Sequence, residues 1–399
     1  MRSVLAFDPL QPRYRRDPYP VLHRLRRAGA VHRTVPFGAT IVLTHALALE
    51  VLRDTRRFSS DPSTVRSVGN LPRSIARRRV PFAEVPSLST MDPPAHARLR
   101  RVLSRPLSAG AVEAFRPRIR EAVARLLPPR GDPVELMTGF AEPLAAAVLL
   151  ELAGVPADRQ GEIGAWLRAI GRVREAGWFS EADLGRAWAA VPRLTRFVEE
   201  VRAGSAPPAK PNLLLELLEA ESGGRITLAE LLALLVHVAL VGTGPTAGLI
   251  GNAVVALARW RDAREMLRKE PALWPSAVDE LLRYDSPTHA IARVARCDLA
   301  LGGVEVAAGE VVFVMVGAAN RDPAVFPEPD LLDVRREAQH HLAFGAGPHL
   351  CLGAPLARLI AEEALPLLLE RIGEYRIRSL QWDPAFELRA PRELVVEQR

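Results

Sequence analysis

Cys351 stands in the run Phe344-Gly345-Ala346-Gly347-Pro348-His349-Leu350-Cys351-Leu352-Gly353, and the only other cysteine, Cys297, is far off in sequence. Two cysteines so placed make neither a disulfide framework nor the spacing of a zinc site. A lone cysteine in a glycine-rich loop can instead offer a thiolate to a metal. The residues after it read as a helix with Pro355 near its first turn, where a missing N–H loses nothing. A helix N-terminus stabilises negative charge and lowers a thiol's pKa. Glycines let the backbone approach a flat ligand and turn N–H groups toward the sulfur. Cys297 has no such setting and reads as a packing or surface residue.

Charged pairs at helical spacing are the other candidates for chemistry. Glu280 and Arg283 are three apart, so on a helix they share a face and can pair. His96 and Arg100 are four apart on a predicted helix and can grip one anion together. Taken alone, each pair could equally be a solvated surface feature.

The pattern Phe-Gly-x-Gly-x-His-x-Cys-x-Gly resembles the heme-binding loop of the cytochrome P450 superfamily, and further segments match that family in order along nearly the whole chain. The resemblance implies that Cys351 is the metal ligand, the axial thiolate of a heme b iron, donating electron density that favours O–O cleavage. Ala343, Phe344, Gly345, Gly353 and Gly242 would contact the cofactor. His96, Arg100, Arg293 and His349 would hold its propionates, because charge-assisted hydrogen bonds offset the burial of carboxylates. Glu280 and Arg283 would form an interior set joined by Arg336, structural in role. The implied fold is mainly α, one domain over residues 1–399. It has a large helical part and a small β-rich lobe, with heme between a long central helix and the cysteine loop.

The implied activity is a heme-thiolate oxidoreductase that hydroxylates or epoxidises a small natural-product intermediate. It would use dioxygen and electrons from ferredoxin and ferredoxin reductase. A heme-binding carrier or sensor without catalysis is the alternative class, and the intact cysteine loop argues against it.

Composition sets bounds of its own. Of 399 residues 48% are hydrophobic and 25% charged, ordinary for a globular protein with a sizeable core. The N-terminal stretch to Pro20 is polar, and no later stretch reads as long and apolar enough to span a bilayer. A cytoplasmic enzyme of bacterial type is expected, with no membrane partner. The net charge of +7 comes almost wholly from arginine, since Lys210 and Lys269 are the only lysines. No basic stripe is interleaved with aromatics, which argues against nucleic-acid binding. Arg98, Arg101 and Arg105 flank the propionate helix, on the face where this family docks an acidic ferredoxin.

Several elements must position these groups. Asp17-Pro18-Tyr19-Pro20 opens a helix, residues 41–44 read as a strand, and 46–54 as a helix. Residues 59–90, rich in Pro, Ser and Arg, read as loop. Helical periodicity runs from His96 to Val201, and Pro207, Pro208 and Pro211 mark a linker. Thr227-Leu228-Ala229-Glu230 is a capping box opening a long apolar helix to about Arg259. Residues 299–314 read as a β-region turning at Gly302-Gly303.

The central helix departs from its family. Where the resemblance leads one to expect an acid followed by a proton-relaying threonine, Val241-Gly242-Thr243-Gly244-Pro245-Thr246-Ala247 offers Gly244 and Pro245. Thr246 falls on the second, less used threonine. Proline there removes an N–H and opposes the Val241 carbonyl, so a kink is expected. Oxygen activation needs protons, and neither Gly244 nor Pro245 can donate one. Three outcomes stay open: a monooxygenase relaying through water, a substrate hydroxyl or Thr246; oxidative cyclisation, coupling or desaturation; or a peroxide-driven reaction.

By resemblance the pocket is built from residues 66–86, 164–177, 239–246, 288–292 and 388–393, with Trp166 and Trp178 near its entrance. Arg66, Arg73, Arg77, Arg78 and Arg79 could attract a carboxylate, a phosphate or a carrier protein, or simply form a solvated loop face.

Overall fold

The computed structural model describes residues 7–9, 11–34, 39–66, 80–83, 85, 87–131, 133–175, 180–204 and 212–398. They gather into two compact units: Pro72–Ala122 with Glu142–Gly244, and Met1–Leu71 with Val123–Ala141 and Pro245–Arg399. Of the pocket arginines only Arg66 falls among the described residues. Its N–H donates to the Gly309 carbonyl (3.1 Å). Trp166 is half-buried, and Trp178 lies outside the described residues.

The first of these units is helical. Helix α1 (Ala95–Ser104) buries His96, Leu99, Val102 and Leu103, the three-and-four spacing of an amphipathic face. Longer helices follow over Gln160–Glu175 and Glu181–Arg202. Helix α2 (Leu228–Val241) opens on the expected capping box: Thr227 Oγ1 accepts the Glu230 N–H (3.2 Å), and Glu230 Oε2 accepts the Thr227 N–H (2.8 Å).

The long central helix is not continuous. It stops at Gly242 and resumes as α3 (Thr243–Arg259). Together, residues Leu228–Arg259 are long and apolar enough to cross a bilayer, contrary to the expectation from sequence. Their apolarity has a core explanation, since α2 buries Leu231 through Val236 in an unbroken run, and α3 buries Thr246 through Val254. A helix apolar all round belongs inside a protein or inside a membrane.

The second unit carries the sheets. Five strands, β1 (Val31–Arg33), β2 (Thr40–Val42), β3 (Phe58–Ser59), β4 (Ala290–Ala295) and β5 (Val311–Met315), lie in the order β1-β2-β5-β4-β3. The β2–β5 pair is parallel and the other pairs are antiparallel. Their core includes Val42, Val51, Phe58, Val312 and Val314, and Leu342 and Ala346 from the cysteine loop pack into it. The hairpin Leu299–Leu301/Val304–Val306 turns at Gly302 and Gly303, both at positive φ (+54° and +77°), as a tight hairpin turn requires. Two helices complete the frame. Helix α4 (Trp274–Tyr284) has Pro275 in its first turn, and α5 (Ala354–Ile372), with Pro355 in its first turn, starts three residues after Cys351.

Candidate active site

The cysteine loop is a short path held by its own backbone and by side chains from outside it. The Leu342 N–H donates to Asn320 Oδ1 (2.6 Å), and the Ala343 N–H donates to His341 Nδ1 (3.2 Å). The Gly345 N–H donates to the Leu342 carbonyl and the Cys351 N–H to the Phe344 carbonyl, both at 2.9 Å. Gly345 and Gly347 both sit at φ +70°. At Gly347 a Cβ would lie 2.8 Å from the Leu52 carbonyl oxygen and 2.9 Å from Arg53 Cα, so only glycine fits. Cys351 is exposed and forms no disulfide. A Cβ on Gly353 would lie 3.8 Å from Cys351 Sγ, which puts the sulfur beside the N-cap of α5. Anionic sulfur is favoured there, because the first-turn N–H groups have no intrahelical partners.

The expected buried set is present in the same unit as this loop. Glu280 and Arg283 are both 0% exposed, and Arg283 binds Glu280 with two nitrogens at 2.6 and 2.8 Å. Arg336 Nε reaches Glu280 Oε1 at 3.3 Å, and the Asp333 N–H donates to the same oxygen at 2.9 Å. Arg283 also binds the carbonyls of Asn320, Pro329 and Leu331. A charge pair so enclosed is tolerated because both carboxylate oxygens of Glu280 and all three guanidinium nitrogens of Arg283 find partners.

Arg293 and His349 belong to the same unit as Cys351. Arg293 is buried in β4, and one guanidinium nitrogen donates to the Ala292 carbonyl (2.7 Å). Ile291, two residues earlier and so on the same face of the strand, comes within 3.6 Å of a Cβ built on Gly345. That face of β4 therefore looks toward the cysteine loop. The His349 ring lies 3.1 Å from Ser60 Oγ. In the helical unit, His96 is buried and Arg100 half-buried, one turn apart on α1. Two of the neighbouring arginines are engaged. Arg98 binds Glu230 and the Arg225 carbonyl, and Arg105 lies 3.5 Å from Glu216.

Around Pro245 the outcome differs from a mid-helix kink. Because α3 restarts at Thr243, Pro245 is its third residue, where no intrahelical N–H bond is due. The Thr243 hydroxyl donates to the Ala239 carbonyl (3.0 Å), capping an acceptor left at the end of α2. Gly242 fills the break, and a Cβ there would lie 2.9 Å from Leu149 Cδ1. Gly244 ends the helical unit, and Thr246 is buried at the start of the other.

Sequence reading missed a cluster beside the loop: Asp279, His341, Arg358 and Asn320. Asp279 is half-buried against His341 and Arg358. Burial would raise its pKa, but the His341 hydrogen bond and the Arg358 charge outweigh it and hold the carboxyl below its ordinary range. The signal was available in part, since Asp279 precedes Glu280 and His341 precedes Phe344 by three. Only the fold brings them together.

The family model for cytochrome P450 matches residues 272–372. The P450 monooxygenase PikC of Streptomyces venezuelae is 33% identical over 412 residues, covering 99% of this chain and 94% of PikC. The chain belongs to the cytochrome P450 family. Solved structures agree with it along nearly its full length. Epothilone D-bound P450epoK superposes with a TM-score of 0.88 at 28% identity over 99% of each chain. P450BioI, in complex with a fatty-acid-ligated acyl carrier protein, superposes with a TM-score of 0.83 at 29% identity, over 97% of this chain and 99% of that one.

This P450 is thus a mainly α, heme-dependent monooxygenase. The residues present fit heme. An exposed cysteine stands at a helix N-terminus, with a buried arginine and a histidine in the same unit to meet carboxylates.

Proposed function

We propose that Cys351 is the axial thiolate of the heme, and that this P450 hydroxylates or epoxidises a small natural-product intermediate. The observation that carries the ligand assignment is the sulfur beside the N-cap of α5, in a loop whose Cys351 amide is already committed to the Phe344 carbonyl. Ala343, Phe344, Gly345 and Gly353 shape the loop. Arg293, His349, His96 and Arg100 take the propionates, and Gly242 lets the central helix pass close by. Heme supplies the iron at which dioxygen is activated.

The protein's part is to supply protons and exclude stray water. Gly244 and Pro245 bring no donor, and the Thr243 hydroxyl is committed to a carbonyl. Thr246 Oγ1 is therefore the hydroxyl of this segment that can hold a water and pass on its proton. Electrons come from a ferredoxin and its reductase. Arg101, which has no ion pair among the described residues, offers α1's clearest cationic contact for such an acidic partner. The protein works in the cytoplasm.

Purified protein should be red, and reduction under carbon monoxide should give the band of thiolate-ligated heme. Cys351→Ala should abolish that band. Turnover with reductase, ferredoxin and dioxygen should exceed turnover with hydrogen peroxide. A faster peroxide reaction would overturn the monooxygenase reading, and a thiolate band that survives Cys351→Ala would overturn the ligand assignment.

A further inference from the structure

One carboxylate oxygen fastens both chain segments that flank the cysteine loop. Asp279 Oδ1 lies 3.1 Å from His341 Nε2 and accepts Arg358 Nε at 2.7 Å. His341 is buried, and its Nδ1 accepts the Ala343 N–H. A backbone amide can only donate, so Nδ1 carries the lone pair and the proton sits on Nε2, pointing at Asp279. On the other flank, Arg358 rises from α5, seven residues beyond Cys351. Its guanidinium carbon lies 4.6 Å from the centroid of the Phe344 ring, and the His341 ring lies 5.6 Å from that same centroid. Phe344 is thus held by the two partners of Asp279, and its carbonyl receives the Cys351 N–H at 2.9 Å.

We propose that Asp279 is a positioning residue for the thiolate: by clasping His341 before the loop and Arg358 after it, Asp279 fixes the Phe344 peptide and, through that carbonyl, the amide and sulfur of Cys351. The role is separate from that of the adjacent Glu280, whose oxygens are taken by Arg283, Arg336 and the Asp333 amide. It rests on the reading of Cys351 as the iron ligand.

The test uses the heme-loaded protein and the variants Asp279→Ala, Asp279→Asn, His341→Ala and the Asp279→Ala/His341→Ala double. Three quantities are read: the half-life of the thiolate band of the reduced carbon monoxide complex, the hydrogen exchange of the Cys351 amide, and the thermal midpoint. A lost hydrogen bond to a charged group should shorten the band's half-life and speed the exchange by roughly tenfold. The double variant should lose less than the sum of the two alanine variants, because the Asp279–His341 bond that they share is broken only once. Asp279→Asn, which can still accept one bond, should fall between wild type and alanine. A lower thermal midpoint with unchanged half-life and exchange would overturn the proposal, leaving a residue that only stabilises the fold. Additive losses in the double would overturn it too. A wild-type protein with no thiolate band would instead sink the ligand assignment, and the thiolate part of this proposal with it. Normal wild-type spectra with undisturbed Cys351 exchange in Asp279→Ala would sink the clasp alone.

Discussion

A proline in the first turn of a helix gives up a hydrogen bond that the helix would not have made. That single fact changes what Pro245 means. Its sequence context, inside a long apolar run, called for a distorted helix interior. In the structure the run is already divided at Gly242, so Pro245 is the third residue of α3 and is tolerated there. Pro245→Thr should therefore fold, and lose only about 0.4–1 kcal/mol because the unfolded chain regains freedom. What it should change is chemistry, by adding a second hydroxyl next to Thr246. The ratio of product formed to reductant consumed should shift in Pro245→Thr and fall several-fold in Thr246→Val. Unaltered coupling in both would mean that protons reach the oxygen by a route that avoids this segment. That Gly244 and Pro245 carry no proton donor was legible from residue types. The break that makes the proline harmless was not, because it depends on Thr243 capping a carbonyl one turn back.

Elements set the loop in place, and two of its glycines separate conformation from crowding. Gly345 and Gly347 share the same φ of +70°, so alanine at either meets the same backbone penalty, roughly 1–2 kcal/mol. Their surroundings differ. A Cβ at position 345 meets Ile291 Cδ1 at an ordinary 3.6 Å, whereas at 347 it meets the backbone of Leu52 and Arg53 under 3.0 Å. Gly347→Ala should lower the thermal midpoint and the heme content of purified protein well beyond Gly345→Ala. Equal losses would mean that φ alone matters and that the helix His45–Arg53 does not brace the loop. Sequence made both glycines conspicuous, yet it could not rank them, since the bracing backbone lies nearly three hundred residues upstream. Asn320 and His341 were hidden as acceptors for the loop's amides for another reason: they lie only 22 and 2 residues from the amides they accept, but no fixed spacing marks such bonds in a loop. The capping box and the Glu280–Arg283 pair were legible because their partners are three residues apart.

Across its sheet-bearing unit the protein ties distant parts of the chain through buried polar groups, and this sets how the fold responds to acid. Tyr14 near the N-terminus lies 3.0 Å from His289 Nε2, and Tyr19 donates to Asp285 (2.7 Å), which also receives Arg389 (2.6 Å). Burial pushes the His289 imidazole down to about 3, assisted by the Arg389 and Arg321 charges and opposed by Asp285. The sign follows. Between the ordinary histidine pKa near 6.5 and about 3, the unfolded chain takes a proton that the folded protein refuses. Stability is therefore whole above about pH 6.5 and drains away as pH falls, by up to about 1.4 kcal/mol for each pH unit crossed. The depressed carboxyl of Asp279 acts in the same direction at lower pH, since its stabilising charge is lost as it protonates. The two can be separated by comparing wild type with His289→Asn, which keeps a neutral polar group but cannot titrate. Thermal midpoints measured from pH 7.5 to pH 4.5 should fall more steeply in wild type, the variant closing the gap as the pH drops. Parallel slopes would mean that His289 takes its proton in the folded state, and that the burial of this network is looser than its hydrogen bonds imply.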